Sequence, residues 1–182
     1  MHNKYNFTIE SLDQKRDLPP KLTVGQVVTE TKADVILKLL GYLLFFRERL
    51  QLEPRLHDDN IPYTPDLLQQ DYELRPILWV ECGECSITKL DKLAVKAPES
   101  EIWVLKSSAN AGEDLIALMK KEKLRRRRYG VIGLEAGMFA EMVALLQPRN
   151  QMLWVQSSFD PAQMQFDFNG LWFDSPFSVW RF

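Results

Sequence analysis

Asp66, entered through Tyr63-Thr64-Pro65, and Glu81, at the end of the apolar run Ile77-Leu78-Trp79-Val80, are the residues of this chain best spaced to do chemistry. An acid that opens one strand and an acid that closes the next reach the same edge of a sheet when those strands pair. Two carboxylates meeting there offer hard oxygen ligands, which suit a divalent ion such as Mg²⁺, with Mn²⁺ able to substitute. The residue two places beyond the second acid is Gly83, which has no side chain to add to such a site.

The elements that must position these acids follow from periodicity. Tyr5, Phe7 and Ile9 alternate with polar residues and Leu22, Val24 and Val28 partly repeat the pattern, so two strands flank the Pro19-Pro20 break. From Thr31 the period becomes helical through Val35, Ile36, Leu39, Leu40, Leu43, Phe46 and Leu50, with Thr31 and Asp34 spaced as a capping box that has Asp in place of Glu. Glu30 stands just before that helix. The turn-forming segment from His57 to Pro65 leads into a strand or turn at Asp66, and 76–82 form the second strand. Helices are expected over 86–97, 110–123 and 138–146, and strands over 101–106, 129–134 and 152–155, an alternation that implies parallel strands in an α/β core. Asn169-Gly170 between Gln165–Phe168 and Leu171–Asp174 predicts a hairpin, because both turn residues accept positive φ.

Composition sets the bounds. A chain of 182 residues, 46% of them apolar, can bury a sizeable core, and no linker-like stretch divides it, so a single domain over 1–182 is expected. The apolar segment from Val35 to Phe46 is interrupted by Lys38 and ends in Arg47-Glu48-Arg49, which reads as a buried helix rather than a membrane span. No signal-like amino terminus is visible and a cytoplasmic protein is expected. A net charge of −2 argues against a general polyanion coat, leaving local charge to carry any nucleic-acid contact.

With these addresses the chain resembles the YaeQ family, whose members resemble restriction-endonuclease-like folds of the PD-(D/E)XK type. The likeness rests on Glu30-Thr31, Leu39-Leu40-Gly41-Tyr42-Leu43, Arg47-Glu48-Arg49-Leu50, Asp66, Leu78-Trp79-Val80-Glu81-Cys82-Gly83, the helix bearing Lys89 and Lys92, the Arg149-Asn150 to Trp154 strand and the terminal hairpin. The resemblance implies an α/β fold, a mixed sheet with flanking helices and a restriction-endonuclease-like core, carrying an amino-terminal strand pair and a carboxyl-terminal β-hairpin. It implies a metal site in which Asp66 and Glu81 bind the ion, the Cys82 carbonyl completes the pocket and Glu30 contributes from the helix side. The chemistry implied is metal-dependent phosphodiester hydrolysis of nucleic acid. Gly83 stands where such sites carry lysine, and Lys89 or Lys92, one helical turn apart on the next helix, is the expected replacement. The alternative is a noncatalytic module that keeps the fold and its acidic cleft to bind a protein or nucleic-acid partner.

Other features compete. Lys120, Lys121, Lys123 and Arg125, Arg126, Arg127 and Arg128 form the one dense basic run, either a solvated helix end or a set of phosphate contacts. Cys82-Gly83-Glu84-Cys85 has thioredoxin-like spacing, but the adjacent acids oppose a lowered thiol pKa, which favours a structural reading. Zinc lacks ligands, since His2 and His57 are the only histidines. No nucleophile elbow or phosphate-binding glycine loop occurs. The tryptophans are spread over separate strands and are expected to pack in the core or hairpin.

Overall fold

The helical and strand periods translate into four helices and two mixed sheets in a computed structural model that describes residues 3–56 and 59–182. The expectations that involve His2, His57 and Asp58 lie outside the described residues. β1 (Asn3–Ser11) and β2 (Lys21–Gln26) precede α1 (Lys32–Phe45), then β3 (Gln51–Leu52), β4 (Leu67–Gln70), β5 (Pro76–Cys82) and α2 (Ile87–Lys96). β6 (Glu101–Lys106), α3 (Ala109–Lys121), β7 (Tyr129–Gly133) and α4 (Ala136–Leu145) follow, and β8 (Arg149–Phe159), β9 (Ala162–Phe168), β10 (Leu171–Pro176) and β11 (Ser178–Arg181) close the chain.

One sheet runs β11-β7-β6-β5-β4-β3, with β5, β6 and β7 parallel and the outer strands antiparallel. The amino-terminal pair and the carboxyl-terminal hairpin do not decorate this sheet. They form a second one, β10-β9-β8-β1-β2, because β8 pairs parallel with β1 on one side and antiparallel with β9 on the other. The β9–β10 turn has Asn169 at φ 51° and Gly170 at φ 88°, the doubly positive backbone that selects Asn-Gly. β3 and β11 had no clear periodic signal. The first spans two residues, and the second holds its place by pairing Ser178–Arg181 with β7.

Burial falls into two cores on either side of the six-stranded sheet. Leu67, Leu78 and Val80 face α1, α4 and the inner side of the five-stranded sheet, whereas Leu68, Trp79 and Val104 face α2 and α3. α1 approaches β4 and β5 at Gly41, where a Cβ would lie 3.0 Å from Cys82 Sγ and 3.1 Å from Leu67 Cδ1. Only glycine allows so close a crossing without displacing its neighbours. It also brings Lys38, one turn earlier on the same side of α1, over the end of β4.

Candidate functional site

Strand register accounts for the acid pair. Leu68 pairs with Trp79 and Leu67 with Val80, so the antiparallel sense brings Asp66, one residue before β4, to the level of Glu81. Asp66 Oδ2 accepts the Cys82 backbone N–H at 2.7 Å, tying the loop acid to the last residue of β5. Burial lifts the Asp66 carboxyl to about 6; the Cys82 hydrogen bond works against this, the nearby Glu81 charge adds to it, and Lys38 and Lys89 oppose it.

Glu81 is only 4% exposed, and a carboxylate so buried needs partners. It has two: Trp79 Nε1–H donates to Oε1 at 2.6 Å, and Lys89 Nζ lies 2.6 Å from the same oxygen. Lys89 is delivered by the first turn of α2, where Ser86 Oγ accepts the Lys89 N–H at 3.1 Å and Leu90, Leu93 and Ala94 anchor the apolar face. Its ammonium also sits 5.6 Å from the centre of the Tyr63 ring. Lys92 is exposed on the same helix. The departure at Gly83 has a backbone cause. Its φ is +100°, and a Cβ there would meet Asp34 Oδ1 at 3.4 Å and Leu37 Cδ1 at 3.5 Å. This strand exit strains any L side chain, so a cation beside Glu81 has to come from another element.

Glu30 does not meet Asp66 and Glu81 directly. Its Oε2 accepts the Val27 N–H at 3.0 Å and its Oε1 accepts from Lys38, which is 2% exposed and also donates to Glu53 Oε1 at 2.6 Å. Burial works to lower the Lys38 pKa, but the hydrogen bonds and charges of Glu30 and Glu53 outweigh it and hold the ammonium above its usual range. Lys38 and Glu53 were missed by motif reasoning. The available signal was one lysine inside the otherwise apolar stretch Val35–Phe45; Glu53 gave none.

The thiols are poor nucleophiles. Cys82 and Cys85 are free, and burial, then Asp66 and Glu81, pushes the Cys82 thiol well up, while burial and Glu81 push Cys85 up to about 12. Both shifts oppose formation of the thiolate that redox exchange needs.

The basic run is divided by the fold. Lys120 and Lys121 occupy the last turn of α3, and Arg125, Arg126 and Arg127 are exposed. Arg126 lies over the Phe182 ring at 4.2 Å. Arg128 turns inward, its guanidinium donating to the carbonyls of Ala94, Ala97 and Ser100 at 2.6, 3.1 and 3.4 Å. It satisfies the end of α2 rather than facing a phosphate. Val131 is level with Val104, and Val104 with Glu81, so Arg128 sits roughly 10 Å nearer the strand starts and two strands across from the acid.

Surface hollows share that end. A cavity of about 730 Å³ is lined by Arg55, Ile61, Arg75, Pro76 and Lys96, and one of about 410 Å³ by Glu101, Trp103, Arg127 and Arg181. Neither is lined by Asp66 or Glu81. The converging buried charges, which are costly to desolvate, are the better mark of a site than concavity.

Among the described residues no group of three or more His, Cys, Asp or Glu side chains could hold a metal. Asp66 and Glu81 nonetheless fit the way Mg²⁺ is commonly held, by one or two carboxylates and its own waters; burial is the main cause that lifts Asp66, and a cation would offset the smaller contribution of the Glu81 charge.

The family model described as YaeQ protein matches residues 2–158. The proteins of Escherichia coli (strain K12) and Shigella flexneri named uncharacterized protein YaeQ are each 29% identical over 106 residues, covering 58% of this chain and 57% of their own length. The crystal structure of the YaeQ protein from Xanthomonas axonopodis pv. citri is similar with a TM-score of 0.75 at 22% identity, covering 99% of this chain and 97% of that one. The Pseudomonas syringae YaeQ protein gives 0.72 at 15% identity, with 98% and 94% covered. At these identities the two structures speak for the fold alone.

Proposed function

The chain belongs to the YaeQ family, and we propose that it is a metal-dependent nuclease, hydrolysing phosphodiester bonds of nucleic acid at Asp66 and Glu81. In this reading β4 to β7 with α1 and α2 form a restriction-endonuclease-like core of PD-(D/E)XK type. The observation that carries it is Lys89 Nζ, 2.6 Å from Glu81 Oε1 and acting on Asp66, a cation supplied from α2 beside a strand exit that only glycine fits.

Asp66 and Glu81 would hold Mg²⁺, or Mn²⁺ in its place. The bound ion supplies Lewis-acid polarisation of a phosphoryl oxygen and a water of lowered pKa. The chain's own residues have separate tasks. Cys82 N–H fixes one oxygen of Asp66, and Trp79 Nε1–H keeps Glu81 oriented when Lys89 leaves it. Lys89, the less buried of the two lysines flanking Asp66, then donates to the negative charge that grows on the phosphoryl group. Lys120, Lys121, Arg125, Arg126 and Arg127 would carry phosphate contacts at a distance from the acids.

The test is Mn²⁺ titration and cleavage of single- and double-stranded DNA and RNA. Wild type is expected to bind Mn²⁺ saturably, Asp66→Ala and Glu81→Ala to lose that binding, and Lys89→Met to keep it while cutting about 10²- to 10³-fold more slowly. Identical metal binding by wild type and both acid variants, with no substrate cut, overturns the nuclease reading and leaves the partner-binding module.

A further inference from the structure

Lys38 is a buried lysine in a helix whose other residues from Val35 to Phe45 are apolar apart from Gly41 and Tyr42. An ion pair in such a place seldom repays its desolvation in stability, and replacing all of its charged members together by apolar residues of similar volume is often neutral or stabilising. Its partners show what it secures. Glu30 comes from the loop after β2 and Glu53 from the residue after β3, and both carboxylates converge on the one ammonium. Glu53 then makes the decisive contact: its backbone N–H donates to the Asp66 carbonyl at 2.7 Å. Its second carboxylate oxygen accepts the Gly25 N–H of β2 at 3.2 Å, so the clasp joins the five-stranded sheet to the end of the six-stranded one. Glu53 holds φ at +48°, a conformation uncommon for a residue with a Cβ and one that needs its surroundings to maintain it.

We infer that Lys38 is a positioning residue for Asp66, acting through Glu53 and touching neither substrate nor ion. The two lysines around the acids thus divide the work. Lys89, on the α2 face and paired with Glu81, has the freedom to follow a substrate. Lys38, its side chain 3% exposed and gripped by two carboxylates, has none and keeps the Asp66 peptide against β3. This inference rests on the nuclease reading only for the purpose of the placement; the placement itself is measurable without it.

The experiment compares wild type, Lys38→Met, Lys38→Arg and Glu53→Gln by backbone amide exchange and by Mn²⁺ titration. The Cys82 N–H reports its bond to Asp66 Oδ2 and the Glu53 N–H its bond to the Asp66 carbonyl. Lys38→Met is expected to speed exchange at Cys82 and Glu53 by about tenfold or more beyond whatever change it causes in β8 and β9. Its Mn²⁺ affinity should fall about tenfold, and Lys38→Arg should restore both within about threefold. Unchanged exchange at Cys82 and Glu53 in Lys38→Met overturns the inference, as does a uniform loss of protection that Lys38→Arg leaves unrepaired. If Lys38→Met does not fold, Glu53→Gln, which retains the shape and gives up the charge, is read by the same criteria. Absence of Mn²⁺ binding in wild type defeats the metal reading alone, because amide exchange still decides whether Lys38 positions Asp66.

Discussion

The two ends of the parallel strands β5, β6 and β7 are built on opposite plans. At the end of β5 the charges are interlocked around two that are buried, Glu81 and Lys38: Asp66 on Cys82, Glu81 between Trp79 and Lys89, Lys38 between the partly exposed Glu30 and Glu53. At the strand starts the charges are many, mostly exposed, and set around hollows. In water, exposed charges move and are screened, whereas a charge removed from water keeps the geometry its partners impose. On the proposed nuclease reading, positioned chemistry would belong to the first end and loose, salt-sensitive attraction to the second.

The sharpest way to break this contrast is to remove one charge from each end. Lys38→Met leaves Glu30 and Glu53 facing each other without their cation; the two carboxylates are partly exposed, so the loss falls at or below the lower end of the range of about 3–5 kcal/mol for breaking a buried pair. Arg128→Met, at the other end, removes a donor from the carbonyls of Ala94, Ala97 and Ser100, of which Ala97 keeps the Ser100 N–H, a loss of about 1–3 kcal/mol. Urea unfolding of the two variants checks the order; a smaller loss for Lys38→Met than for Arg128→Met would show that the interlocked end is not the more tightly held.

A finer test uses pH. Asp66 titrates near about 6 in the folded chain, above the ordinary carboxylate range of about 4, so the folded state keeps this proton to higher pH than the unfolded chain does. The sign follows from linkage. Stability from this group is full below about pH 4, is lost as pH rises through about 6, and stays lower above that. Asp66→Asn cannot ionise and still accepts from Cys82, so without divalent ions it should exceed wild type by about 1–2 kcal/mol at pH 8 and match it at pH 4, after allowance for the partial exposure of the carboxylate. A gap that does not change between those pH values would refute the buried-carboxylate account.

What the sequence disclosed divides along the same lines. Features settled within a few residues were legible: the Thr31–Asp34 cap is made, with Thr31 N–H donating to Asp34 Oδ2 at 2.7 Å, and the Asn169-Gly170 turn takes the expected φ values. Features settled by distant partners were not. That β1 and β8 would pair across more than a hundred residues, joining the first strands and the last hairpin in one sheet, has no local signature. Glu53 is a loop residue with no motif, and its role arises only because β3 lies beside Asp66. Lys38 was visible as an interruption in an apolar helix, yet the carboxylates it serves come from two separate loops. Arg128 could not be told from Arg125, Arg126 and Arg127 by type or neighbours, since the carbonyls it caps lie on α2.

The smallest effect on stability should come from the exposed arginines, and it tests the comparison from the other side. Arg125, Arg126 and Arg127 make no buried ion pair among the described residues, and substitutions at such surface sites usually stay within about 0.5 kcal/mol each. Arg126 gives up its place over the Phe182 ring as well, worth about 0.5–1 kcal/mol at an exposed site. The triple Ala variant should therefore fold almost as stably as wild type. Its binding to a duplex oligonucleotide should nevertheless weaken, and the slope of log affinity against log salt should flatten by about 0.9 for each phosphate no longer neutralised. Cleavage at saturating substrate should be unchanged, because Lys89 and the two acids are untouched. A variant whose binding keeps the full salt dependence would detach the basic run from nucleic acid and leave its lysines and arginines as the solvated end of α3. A variant that binds normally but cuts slowly would show instead that the strand starts and the acid end act on one another, and the division between attraction and positioned chemistry would fail.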